Sequence, residues 1–63
     1  MEKFKKYLEL RIKNLKVDIA ACDKLLLLED TKDLAAYRAR QKARLSEVEM
    51  TLGYWEFMKN AQS

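Results

Sequence analysis

The apolar residues of this chain recur at alternating spacings of three and four, and the pattern changes phase once, near residue 30. Such spacing places side chains on one face of an α-helix. Before the break the repeat carries large side chains, and after it a repeat of mostly small ones begins. The two repeats are Leu8, Ile12, Leu15, Ile19, Cys22 and Leu26, then Ala36, Ala39, Ala43, Ser46, Met50, Gly53 and Phe57. Two helices joined at one break predict an all-α hairpin.

The break is located by phase, because it contains neither proline nor glycine. If the first repeat continued, Arg40 and Glu47 would lie on its buried face, and burying unpaired charges is costly. Asp30 or Thr31 can instead cap a new helix by accepting a hydrogen bond from a free N–H group. We therefore predict a single domain, residues 1–63, with helices at about 2–29 and 32–60.

The charges also favour a chain that folds back on itself. The net charge is +4 over residues 1–16, −3 over 17–33, +4 over 34–44 and −2 over 45–63, which together make the overall +3. Folding at residue 30 sets each block beside one of opposite sign. Single surface ion pairs contribute only ~0–1 kcal/mol, so this arrangement selects a topology more than it adds stability.

An antiparallel fold-back brings the large repeat opposite the small one, and this pairing is the predicted hairpin core. Its members are Leu8, Ile12, Leu15, Ile19, Cys22, Leu26, Ala36, Ala39, Ala43, Met50 and Phe57. Large side chains against small ones let two helix axes approach closely.

A second apolar stripe on helix 2 is then left over, and it is the predicted dimer interface of a four-helix bundle. It comprises Leu34, Tyr37, Leu45, Val48, Leu52 and Trp55. Helix 1 has a weaker extra stripe of Tyr7, Leu10, Val17, Ala21 and Leu28. The stripes lie nearer to opposite faces than to adjacent ones, which leaves open that one of them meets a different partner.

A set of basic side chains forms a candidate surface for a partner or for nucleic acid: Lys6, Lys13, Lys16, Arg40 and Arg44. Phosphate-binding patches usually carry a larger net charge than +3. The alternative interpretation is a solvated face matched to the acidic blocks of the chain.

Aromatic side chains cluster near the end of the chain at Tyr54, Trp55 and Phe57, beside Met58. Such side chains anchor protein partners or stack on bases. The alternative is that they close the open end of the bundle against Phe4, Tyr7 and Leu8.

Two further features admit more than one interpretation. Cys22 falls within the large repeat and is expected to be a small buried hydrophobe, with an intersubunit disulfide or a reactive thiol as the alternatives. Arg38 and Gln41 interrupt the second stripe of helix 2. They either pair with Glu29 or Asp33, or mark where the dimer seam ends.

The composition does not favour catalysis or cofactor binding. The chain has no histidine, one cysteine and one glycine, so a catalytic Cys–His pair, a structural zinc site and a glycine-rich phosphate loop are not expected. We expect no enzyme activity, no cofactor and no metal. The longest apolar run, residues 25–28, is far shorter than the ~20 residues of a membrane span. A cytoplasmic protein is expected.

The chain resembles two helical families once the break is placed at Asp30–Thr31. In architecture it is similar to the plasmid repressor of primer, a hairpin that dimerises into a four-helix bundle and binds paired RNA loops. In length, in its break at residues 29–32 and in its Lys-, Glu- and Leu-rich helices, it looks like the small helical-hairpin protein of fuselloviruses, the spindle-shaped viruses of archaea. That resemblance implies a homodimeric bundle acting as an adaptor in macromolecular assembly, in the host cytoplasm.

The expected function is therefore that of a non-enzymatic homodimeric interaction module that binds itself and another protein. The alternative is a nucleic-acid-binding regulator of the repressor-of-primer type. Salt-dependent binding to structured RNA or duplex DNA separates the two.

Overall fold

The chain folds into two helices joined by a three-residue turn. The structure, a computed structural model, describes residues 2–62, and side-chain burial is defined for residues 2–61. Helix α1 spans Glu2–Leu28 and helix α2 spans Lys32–Gln62. The predicted all-α hairpin is confirmed, and each predicted boundary lies within about two residues of the observed one, the usual uncertainty of helix ends.

The turn ends one helix and caps the next through backbone and side-chain bonds. The Glu29 N–H still donates to the Leu25 carbonyl at 2.8 Å, which completes the last turn of α1. Thr31 then acts as the N-cap of α2. Its Oγ1 accepts the Leu34 N–H at 3.2 Å and its carbonyl accepts the Ala35 N–H at 3.0 Å. Of the two predicted caps, Thr31 is the one used.

The hairpin is a long rod. Its principal extents are 50 × 15 × 12 Å and its radius of gyration is 14.8 Å. A compact domain of this length has a radius of gyration of ~11 Å. Within residues 2–62, neither helix is both long and apolar enough to cross a membrane.

The predicted core of α1 is confirmed. Leu8, Leu15 and Cys22 are buried. Ile12, Ile19 and Leu26 are half-buried along the same line. These six residues form the α1 half of the seam between the helices.

The prediction for α2 is wrong, because the stripe predicted for the dimer interface replaces the small-residue stripe in the contact with α1. The small-residue stripe, predicted to lie in the core, is exposed at Ala36, Ala39, Ala43, Met50 and Phe57, as it is at Ser46 and Gly53. The stripe predicted for the dimer interface is half-buried at Leu34, Leu45, Val48, Leu52 and Trp55. Since α1 is the one element available to cover them, these residues form the α2 half of the seam.

The replacement has a simple energetic reason. Apolar burial contributes ~25 cal/mol per Å² removed from water, so leucine, valine and tryptophan side chains gain more from facing α1 than alanine, serine and glycine do. The larger stripe also forms an unbroken repeat once its two polar members are included. Leu34, Arg38, Gln41, Leu45, Val48, Leu52 and Trp55 alternate at spacings of four and three.

Candidate interaction surface

A polar network crosses the seam near its middle. Asp18 Oδ2 accepts hydrogen bonds from the Tyr37 hydroxyl and from Gln41 Nε2, both at 2.6 Å. Gln41 Oε1 in turn accepts from an Arg44 guanidinium nitrogen at 2.9 Å. Gln41 is the polar residue that the seam buries, and both ends of its amide have partners. The network therefore satisfies a polar side chain inside an otherwise apolar contact.

The network shifts the protonation equilibria of its two titratable members. The hydrogen bond from Tyr37, followed by that from Gln41, holds the pKa of Asp18 below its ordinary value, because both bonds stabilise the carboxylate. The pKa of Tyr37 is raised, chiefly because its hydroxyl donates to Asp18 and would lose that bond on ionisation. Each group keeps the other in the protonation state that the bond requires.

A second polar contact lies closer to the turn. The Arg38 guanidinium donates to the Asp23 carboxylate, and both side chains are partly exposed. Arg38 and Gln41 were expected to pair with Glu29 or Asp33, or to mark the end of a dimer seam. In the structure Arg38 instead bonds to Asp23 and Gln41 to Asp18, roughly one and a half and three turns before the end of α1. These polar residues belong to the seam.

The two sides of the seam differ in chemistry. One side carries Asp18 and Tyr37, whose hydrogen bond shows that these flanks of α1 and α2 adjoin. A shallow groove on that side is lined by Arg11, Asn14 and Ala21. The other side has a groove lined by charged residues of both helices, namely Glu9, Lys13, Lys16 and Glu49.

Most of the exposed large hydrophobic side chains lie on the first side. Helical periodicity, counted from the seam residues, places seven of the twelve in the described part of the chain there. We call this surface the tyrosine face: Phe4, Tyr7, Leu25, Leu28, Tyr37, Tyr54 and Met58. Of the other five, Leu10 and Val17 lie on the outer edge of α1, and Met50 and Phe57 on that of α2.

The opposite side carries one exposed large hydrophobic side chain among the residues whose burial is described, Leu27. We call it the charged face, after its ten ionisable residues: Glu2, Lys6, Glu9, Lys13, Lys16, Asp23, Lys32, Lys42, Glu49 and Glu56. Five of these are acidic and five are basic, so the face is highly polar but neutral overall. Such a surface is well solvated.

The hairpin does not gather the candidate nucleic-acid residues on one surface. Lys6, Lys13 and Lys16 lie on the charged face, where carboxylates are interleaved with them. Arg40 and Arg44 lie on the flank of α2 that belongs to the tyrosine side, and Arg44 donates to Gln41. The five basic residues therefore point to two sides of the rod.

The aromatic cluster at the chain termini remains largely in water. Tyr54 and Phe57 are 67% and 68% exposed, and Phe4 and Tyr7 on the other helix are exposed as well. Trp55 is half-buried, and the Lys59 ammonium lies 5.2 Å from its ring centroid, a cation–π distance. Tyr54 and Phe57 are therefore not covered within one chain. That the cluster closes the open end of a dimeric bundle stays a prediction.

Two further predictions concern the single cysteine and possible metal ligands. Cys22 is buried with a free thiol, which agrees with its interpretation as a small hydrophobe. No group of three metal-binding side chains occurs within the described residues.

Comparison with protein families, curated proteins and solved structures finds no match for this chain.

Proposed function

We propose that this protein is a non-enzymatic interaction module that works as a homodimeric helical bundle in the cytoplasm. The observation that carries the proposal is a surplus of exposed surface. One chain exposes 5289 Å², whereas a monomeric globular protein of 7.5 kDa exposes roughly 4,200 Å². The surplus, about 1,000 Å², is of the size that one partner buries in a standard protein–protein interface, ~800 Å².

The apolar character of the exposed surface also supports self-association. Leu8, Leu15, Cys22 and Gln41 are the buried residues of the described part of the chain, against twelve exposed large hydrophobic side chains. A monomeric protein rarely leaves so much apolar surface in water. The polar network also serves a structural purpose, since its members satisfy one another's hydrogen bonds across the seam.

The role that fits such a module best is that of an adaptor, which joins macromolecules without chemical change. A homodimer presents two identical copies of every free surface, so it can hold two partners together. The likeness in length and composition to the fuselloviral hairpin protein is in line with the same role. Besides itself, the proposed partner is another protein.

Sedimentation equilibrium tests the dimer directly. We expect a mass of about 15 kDa, twice the 7.5 kDa of one chain, at micromolar concentration, together with a concentration-dependent melting temperature. A folded chain that sediments as a monomer up to submillimolar concentration would refute the proposal.

Nucleic-acid regulation has less support, because the five candidate basic residues occupy two sides of the rod. Binding to structured RNA and duplex DNA at low salt provides the discriminating measurement. A specific complex that weakens steeply with salt and on Lys13→Ala would favour a regulator over an adaptor.

A further inference from the structure

The free surfaces of the hairpin differ in how much apolar area a single partner can cover. The outer edges of α1 and α2 point away from each other, so no one surface contacts both. The tyrosine face runs across both helices as one continuous surface and carries seven exposed large hydrophobic side chains. The charged face carries one. An interface built on the tyrosine face therefore removes the most apolar area from water.

The tyrosine face has apolar ends and a polar middle. Gln41 and Arg38 contact Asp18 and Asp23, and this register brings Tyr54 and Met58 level with Phe4 and Tyr7 at the open end, since both helices rise ~1.5 Å per residue. Leu25, Leu28 and Tyr37 form the other, mainly apolar end, near the turn. Asp33 lies there too, by the same periodicity as Arg40 and Glu47. The middle carries Arg11, Asn14, Asp18, Arg40, Arg44, Glu47 and Thr51.

This layout is complementary to itself. Two copies can pack face to face about a two-fold axis that passes through the middle of the face, either parallel or perpendicular to the rod. In both cases the apolar ends of one copy contact apolar ends of the other, and the two polar middles meet. Because the middle holds Arg11, Arg40 and Arg44 beside Asp18 and Glu47, each copy offers both signs of charge to the other. Self-complementarity about a two-fold axis is what an isologous dimer requires.

We propose that the tyrosine face is the contact between two copies of this chain, packed face to face. This inference rests on the proposed homodimer and names its interface. The charged face and both outer edges then stay in water, including the small-residue stripe of α2. Tyrosine is well suited to the contact, because its ring is buried while its hydroxyl keeps a polar partner, as Tyr37 does with Asp18.

The chain offers matched controls for this interface. Leu27 and Leu28 are neighbours with nearly equal exposure, 88% and 85%, yet Leu28 lies on the tyrosine face and Leu27 on the charged face. At the other end, Tyr54 lies on the tyrosine face and the equally exposed Phe57 on the outer edge of α2. A charge at any of the four leaves the seam of one chain intact, and circular dichroism verifies that each variant is helical.

The experiment measures the dimer dissociation constant of Leu28→Glu, Leu27→Glu, Tyr54→Glu and Phe57→Glu by analytical ultracentrifugation. We expect Leu28→Glu and Tyr54→Glu each to raise it at least about tenfold, because each buries a charge in an apolar contact. Leu27→Glu and Phe57→Glu should change it by less than about threefold, as exposed substitutions usually do.

The outcomes separate the interface from the function. A wild-type dimer that Leu28→Glu and Tyr54→Glu leave intact would overturn the tyrosine face and leave the proposed homodimer standing. The same holds if Phe57→Glu or Leu27→Glu proves the more damaging of its pair. A wild-type chain that stays monomeric would remove the proposed function itself.

Discussion

The replacement of one stripe by the other on α2 is tested by truncating one residue from each. Leu52 belongs to the stripe that faces α1, and Met50, two residues away, belongs to the stripe on the outer edge. Leu52→Ala and Met50→Ala both remove a large apolar side chain from the same region of the same helix. Any change in helix propensity is small for both, since leucine and methionine are strong helix formers.

The expected magnitudes follow from burial. Truncating a fully buried leucine costs ~2–5 kcal/mol. Leu52 is half-buried, so its loss should lie at the lower end, about 2 kcal/mol. Met50 is 72% exposed, and exposed substitutions stay within ~0.5 kcal/mol. In a domain of this size, 2 kcal/mol corresponds to a fall in Tm of roughly 8–16 °C.

Urea and thermal unfolding followed by circular dichroism measure both quantities. The two variants and the wild type must be compared at one protein concentration, because self-association adds to the apparent stability. If Met50→Ala were the more destabilising variant, the small stripe of α2 would face α1 and the arrangement described above would be refuted. Equal effects of the two truncations would contradict it as well.

Three further predictions concern single residues. Thr31→Ala should lower the free energy of unfolding by about 1 kcal/mol through loss of the N-cap, whereas Thr31→Ser should retain most of it; a thermal melt that ranks the two equally would contradict the cap. The pKa of Asp18 is lowered in the folded chain, so its stabilising contribution is complete above the ordinary Asp value of ~3.9 and is lost as pH falls through the folded value. Asp18→Asn should therefore flatten the acid side of the stability profile, and an unchanged acid slope would count against the bonds from Tyr37 and Gln41. The thiol of Cys22 should react with a disulfide reagent only at the rate of unfolding, because the side chain is buried; immediate modification of the native protein would disprove this.

The parts of the fold that depend on local chemistry were predictable from the sequence. The phase change and the two candidate caps, Asp30 and Thr31, located the turn, because a new helix needs a partner for its free N–H groups. The structure then selects Thr31. The seam of α1 was predictable for a related reason. That helix has one strong stripe of large aliphatic residues, so only one of its faces was a good candidate for packing against α2.

The choice of stripe on α2 depends on more than periodicity. Both of its stripes alternate at three and four, and the presence of Arg38 and Gln41 counted against the correct one. Those two residues are acceptable in the seam because Asp23 and Asp18 lie opposite them on α1. Pairs of this kind become visible only when the register between the helices is known. The tyrosine face was missed for the same reason, since a surface shared by two helices is defined by their register.

The single seam has a consequence for how the hairpin opens. Its contacts near Leu26 and Leu34 join residues close in sequence, whereas those near Leu8 and Trp55 join residues more than forty apart. The entropic cost of closing a loop grows with its length, so contacts between the helices should form first near the turn and last near the termini. Local unfolding should begin at the termini. Amide hydrogen exchange is then fastest at the end that carries Phe4, Tyr7, Tyr54 and Met58. A second copy that packs on that end would hold the two termini together and slow their fraying.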